Sequence, residues 1–129
     1  MGTITQPSEW LRGVLGLCVL RIMAAGPTYG YAIAAELAEA GFGEIKGGTL
    51  YPLLARLEKS DLVTAEWRVG EGGPGRKYFT LTETGRAELA HGLAQWQAFS
   101  TRVDNHLSTS DTGDDLSLPR PRHPSRSTP

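Results

Sequence analysis

A mainly α-helical fold with one small β-hairpin is what this sequence predicts, and three observations predict it. Apolar residues recur at helical spacing in several separated segments. Two runs with the period of a strand, 62–69 and 77–81, flank the glycine-rich stretch 70–75. A compact helical segment, Thr49 to Glu58, comes directly before that hairpin, with Arg76 and Lys77 beside its turn. Compact helix then hairpin is the order of a winged helix-turn-helix, and the helical pattern that resumes after the hairpin predicts a C-terminal dimerisation helix. The expected organisation is an N-terminal arm over residues 1–8, the winged helix-turn-helix over 9–82, the C-terminal helix over 83–107 and a disordered tail over 108–129.

Ser8 stands in N-cap position for a first helix from Glu9 to Ala25, which Gly26-Pro27 stops. Leu11, Val14, Leu15, Leu17, Cys18, Val19, Leu20, Ile22 and Met23 cover nearly its whole circumference. A helix apolar all round needs cover on more than one side, and so small a domain has few sides to offer, so a partner chain is expected to supply the rest. Pro27 to Gly30 reads as a turn and helix start. A short amphipathic second helix follows, with Tyr31, Ile33, Ala34, Leu37 and Ala38 recurring up to a break at Gly41. In the third helix Thr49 is the expected N-cap and Leu50, Leu53, Leu54 and Leu57 the buried face. Pro52 fits the first turn, where its missing N–H costs nothing.

Val63, Ala65, Trp67 and Val69 alternate with Thr64, Glu66 and Arg68, the pattern of a half-buried strand, and Lys77 to Leu81 resumes it. Thr82-Glu83 caps the last helix. There Leu89, Leu93, Trp96, Ser100, Val103 and Leu107 follow one another at four and three residues, a dimerisation seam, although two to three heptads are too short to be stable alone. From Ser108 onward the chain has too little apolar content to offset the entropy of ordering. Pro119, Pro121 and Pro124 leave two readings of that tail, a polyproline ligand or a plain solubilising segment.

The 129 residues carry a formal net charge of −1, which argues against a purely nonspecific nucleic-acid binder. Charge is local, however. Between positions 46 and 86 the cations Lys46, Arg56, Lys59, Arg68, Arg76, Lys77 and Arg86 outnumber the anions Glu58, Asp61, Glu66, Glu71 and Glu83. The lone cysteine, Cys18, cannot form an internal disulfide and reads as a small buried hydrophobe in a cytoplasmic protein. The apolar run it belongs to is bounded by Arg12 and Arg21, too short for a membrane span, and Glu9 and Arg21 make it a poor signal peptide.

Gly70-x-Gly72-x-x-Gly75 matches the dinucleotide fingerprint, but that fingerprint needs a strand before it and a helix after it. Here a strand follows, so the glycines read as a mobile wing tip that can approach a phosphate backbone closely. His91, His106 and His123 have no companions at metal-ligand spacing, and no Ser or Cys sits in a nucleophile turn. His91 with Glu88 reads as a solvated helix face. No enzyme, metal or cofactor is expected. DNA readout has the parts in order: Lys46, Thr49, Tyr51 and, one turn on, Arg56 are donors at the end of the third helix that a recognition helix points into the major groove. Arg76 and Lys77 can reach phosphates or the minor groove from the wing. Trp96, with Phe99 nearby, keeps two readings: filler of a dimer interface, or half of an aromatic slot that couples a planar ligand to the spacing of two DNA-reading heads.

Three motifs carry a resemblance to one family: Tyr29-Gly30-Tyr31-x-Ile33, Gly48-Thr49-Leu50-Tyr51-Pro52-x-Leu54-x-Arg56-Leu57-Glu58, and Gly75-Arg76-Lys77-Tyr78-Phe79-x-Leu81-Thr82-x-x-Gly85-Arg86. Over residues 11–107 the chain resembles the PadR family of transcriptional regulators, in its short form with a single C-terminal helix. The resemblance implies a homodimeric winged helix-turn-helix repressor of operator DNA, released when a planar aromatic effector enters a slot at the dimer centre. The implied DNA-binding set is Tyr29, Lys46, Thr49, Tyr51, Pro52, Arg56, Arg76 and Lys77; the implied dimer and effector slot is Leu11, Val14, Leu15, Leu89, Leu93, Trp96, Phe99 and Val103. Asp61 departs from the family, which usually has glycine there; aspartate tolerates the left-handed conformation better than most residues, though less freely than glycine. The rival reading is a winged-helix protein-interaction module that binds no DNA, which a near-zero net charge also suits.

Overall fold

The computed structural model describes residues 8–69 and 73–111; the wing tip Gly70–Gly72 and the tail beyond Asp111 lie outside the described residues. The order is α1 (Ser8–Met23), β1 (Thr28–Tyr29), α2 (Gly30–Leu37), a π-helical turn (Ala38–Phe42), α3 (Gly47–Lys59), β2 (Val63–Val69), β3 (Gly75–Leu81) and α4 (Glu83–Asp111). Two compact units divide the chain, with the boundary inside α4 after Leu93.

Leucine spacing builds the core of the first unit. Leu15, Val19, Leu20 and Met23 from α1, Ile33 and Leu37 from α2, Leu50, Leu53, Leu54 and Leu57 from α3, and Val63, Phe79 and Leu81 from the sheet form one buried cluster. Leu11, Cys18, Ile22 and Leu89 pack on it, partly buried. Burial pushes the Cys18 thiol above its ordinary value, which favours its protonated form.

The sheet contains a strand that sequence reading missed. β3 is central, paired antiparallel with β2 on one side and with the two-residue β1 on the other, Thr28 opposite Phe79 and Tyr29 opposite Tyr78. The expected turn at Pro27–Gly30 is therefore a strand that ends where α2 begins, too short to show any alternation. The β2–β3 pairing, Val63 opposite Leu81 through Val69 opposite Gly75, holds for the whole length of the hairpin.

Other expectations shift in detail. α3 begins at Gly47 with Lys46 as N-cap; the N–H groups of Thr49 and Leu50 both bond to the Lys46 carbonyl at 2.9 Å, so Thr49 is inside the helix and not its cap. Pro52 is then in the second turn, where its missing N–H leaves the solvent-exposed Gly48 without its usual partner. Tyr31 is 76% exposed, leaving Ile33 and Leu37 as the buried pair of α2. Val63 is buried and Ala65 partly so, but Trp67 and Val69 are 70% and 85% exposed, because the core covers only the base of the hairpin. α4 continues four residues past Leu107, through a stretch expected to be disordered.

Two junctions set the angle of the wing. α3 ends in a Schellman turn: Leu62 N–H bonds to Leu57 O and Asp61 N–H to Glu58 O, each at 3.0 Å, with Asp61 at φ 63°. Thr82 caps α4 by accepting from Gly85 N–H at 2.9 Å, and its hydroxyl is 2.7 Å from the Asp61 carbonyl, while Thr82 N–H donates to Leu62 O. The end of one helix is thus bonded to the start of another, with both hairpin strands rooted between them.

Candidate nucleic-acid interface

The two faces of α3 separate cleanly. Its leucines are buried, while Lys46, Thr49, Tyr51, Pro52 and Arg56 are all exposed. Tyr51 is 53% exposed, with its ring edge resting on α2: a Cβ at Gly30 would stand 2.7 Å from the Tyr51 ring. The glycine of the Tyr29-Gly30-Tyr31 motif therefore makes room for the tyrosine of the third-helix motif in this position. That fixes the phenol at the edge of the exposed face, midway between the buried and the solvent-facing readings.

Between this face and the hairpin runs an open groove of about 500 Å³, bordered by Tyr31 from α2, Tyr51, Ala55 and Glu58 from α3, and Trp67 and Lys77 from the wing. Lys77 Nζ is 3.4 Å from Glu58 Oε1, both side chains about two-fifths exposed. An ion pair that wet contributes at most about 1 kcal/mol, so Lys77 can exchange Glu58 for a phosphate at small cost.

Arg76 and Lys77, each expected to reach phosphates or the minor groove from the wing, both border this groove, although as neighbours along a strand they leave the sheet on opposite faces. Lys77 shares the groove-side face with Trp67, its partner in the register. Arg76 shares the outer face with Arg68, Tyr78 and Glu66. On that face the Arg76 guanidinium is 4.4 Å from the centre of the Tyr29 ring, and Arg68 is 4.6 Å from the centre of the Tyr78 ring. Tyr29 is accordingly partly buried under Arg76 and 5.2 Å from Tyr78, ring centre to ring centre. Sequence reasoning did not single out Arg68. The signal was present in the hairpin length, since pairing Val69 with Gly75 puts Arg68 opposite Arg76.

Of the residues assigned to a dimer and effector slot, Leu15 is 4% exposed and belongs to the protomer's own core, and Leu11, Val14 and Leu89 are partly buried. Leu93, Trp96, Phe99 and Val103 remain 37–55% exposed along α4. His91 and His106 are exposed on the same helix, and no cluster of three or more potential metal ligands occurs among the described residues. No helix of the described residues is long and apolar enough to cross a membrane.

Three helices packed around a hairpin, with a donor-rich helix face beside it, define the class of winged-helix domains. The sequence model of the transcriptional regulator PadR-like family matches residues 19–108. The chain belongs to that family, and it is a transcriptional regulator and not an enzyme. It is 36% identical over 81 residues to a transcriptional regulator of Mycobacterium tuberculosis, covering 63% of this chain and 74% of that one. A PadR family transcriptional regulator from Eggerthella lenta superposes with a TM-score of 0.72 at 38% identity, over 79% of this chain and 88% of its own. A PadR-like regulator from Bacillus cereus gives 0.69 at 35%, over 77% and 96%.

Proposed function

We propose that this regulator is a homodimeric repressor that binds a pseudo-palindromic operator, with α3 of each protomer in the major groove and the wings on flanking phosphates. One observation carries the reading: the exposed face of α3 gathers Lys46, Thr49, Tyr51 and Arg56 at its start and middle while its opposite face is locked into the core. A helix held by its leucines presents those donors at fixed spacing, which base-edge readout requires. Apolar exposure along α4, at Leu93, Trp96, Phe99 and Val103, supports a second protomer as partner. Trp96 supports an aromatic slot there, open to a planar effector that releases the operator.

The test is fluorescence anisotropy of the protein with duplex DNA from its own upstream region, beside a scrambled duplex, at low and moderate salt. Preference for the native duplex with two protomers per site is the expected result. Binding to neither duplex at low salt would replace DNA binding with the interaction-module reading.

A further inference from the structure

The outer face of the wing pairs Arg76, already counted among the DNA-binding residues, with Arg68, which is not. Arg68 and Arg76 are directly opposite each other in the β2–β3 register. Like charges so placed destabilise a strand pair; the Glu66 carboxylate, 2.8 Å from Arg68, offsets part of that cost, and a bound anion would offset the rest. Each guanidinium is also held over a ring, Arg68 over Tyr78 at 4.6 Å and Arg76 over Tyr29 at 4.4 Å, and the rings themselves are 5.2 Å apart. Arg68 Nε donates to Glu66 Oε2 at 2.8 Å, which orients the guanidinium and leaves its terminal nitrogens free. Among the described residues no carboxylate pairs with Arg76. Two planar, pre-oriented forks on adjacent strands are the type of donor that binds phosphate bidentately.

We propose that Arg68 and Arg76 together bind one phosphodiester of the DNA backbone, with Tyr78 and Tyr29 as the positioning residues beneath them. The proposal rests on the DNA-binding reading above and adds Arg68 to its contacts. Stacking removes rotamer freedom from both arginines before DNA arrives, so less is lost on binding. It also gives Tyr29 the work of orienting Arg76 from beneath, without itself touching DNA.

The experiment is the salt dependence of affinity for native and scrambled duplexes, measured for the full chain and for R68Q, R76Q, R68Q/R76Q, Y78F, Y78L and R68Q/Y78L. Thermal melting checks that each variant is folded. The double variant R68Q/R76Q should lower the slope of log affinity against log salt by about 0.9, the value for one phosphate, so that the parent's advantage over it shrinks about eightfold across a decade of salt. Each single arginine variant should account for part of that loss, equally on both duplexes. Y78F should bind as the parent does; Y78L should match R68Q and add nothing when combined with it. A slope change of about 1.8 in R68Q/R76Q would mean two separate phosphates and overturn the shared site. A parent chain that prefers its native duplex while R68Q binds both duplexes unchanged would overturn the proposal and leave DNA binding standing. A parent chain that binds neither duplex would overturn both.

Discussion

Asp61 adopts φ 63°, and it is the one non-glycine with positive φ among the described residues. For most L-residues that conformation costs about 1–2 kcal/mol, and less for aspartate. Glycine would remove the strain but enlarge the unfolded ensemble, an opposing effect of about 0.5–1 kcal/mol. The two nearly cancel, so Asp61→Gly should raise stability by no more than about 1 kcal/mol in urea titration, and a clear loss would contradict the left-handed assignment. Gly85 permits no such trade. A Cβ there would overlap the Leu62 carbonyl oxygen and approach Leu81 Cδ1 at 2.7 Å. Backbone cannot step aside as a side chain can, so Gly85→Ala should cost more than about 2 kcal/mol. Asp61 was legible only through the resemblance to a family that usually has glycine at that position. The need for Gly30 and Gly85 was not, since each is set by a residue more than twenty positions away, Tyr51 and Leu62.

At the scale of elements, α3 was read correctly in its buried face and displaced at its start. The leucine spacing decides which side faces the core whatever the cap, whereas Thr49 and Lys46 compete for the first turn and the backbone bonds to Lys46 settle it. β1 escaped detection because two residues carry no period, and only pairing with β3 makes them a strand. Trp67 was misplaced for the opposite reason: its alternation is real, but the core ends before reaching it. The wing thus has two faces, and on the proposed reading each meets phosphate. Lys77→Ala, on the groove side, should weaken all DNA sequences alike and lower the salt slope by about 0.9, because what it loses is a phosphate contact and not a base contact. Its pairing with Glu58 is too wet for the change to alter stability by more than about 1 kcal/mol, which thermal melting would check.

For the molecule as a whole, the partly covered α1 and the exposed apolar residues of α4 make sense if the protein works as more than one chain. Val103 is 37% exposed on α4, and Val103→Glu should shift a dimer toward monomers in sedimentation velocity, with operator affinity falling as the second reading head is lost. Two heads also fix the operator, whose half-sites should be one helical turn, about 34–36 Å, or a multiple of it apart. The most direct test of the central claim, that α3 reads the bases, is Arg56→Ala titrated against the native duplex and against duplexes substituted one base pair at a time. The account predicts a loss of about 1–3 kcal/mol and relaxed discrimination at a single position in each half-site. Unchanged affinity with unchanged discrimination would contradict it.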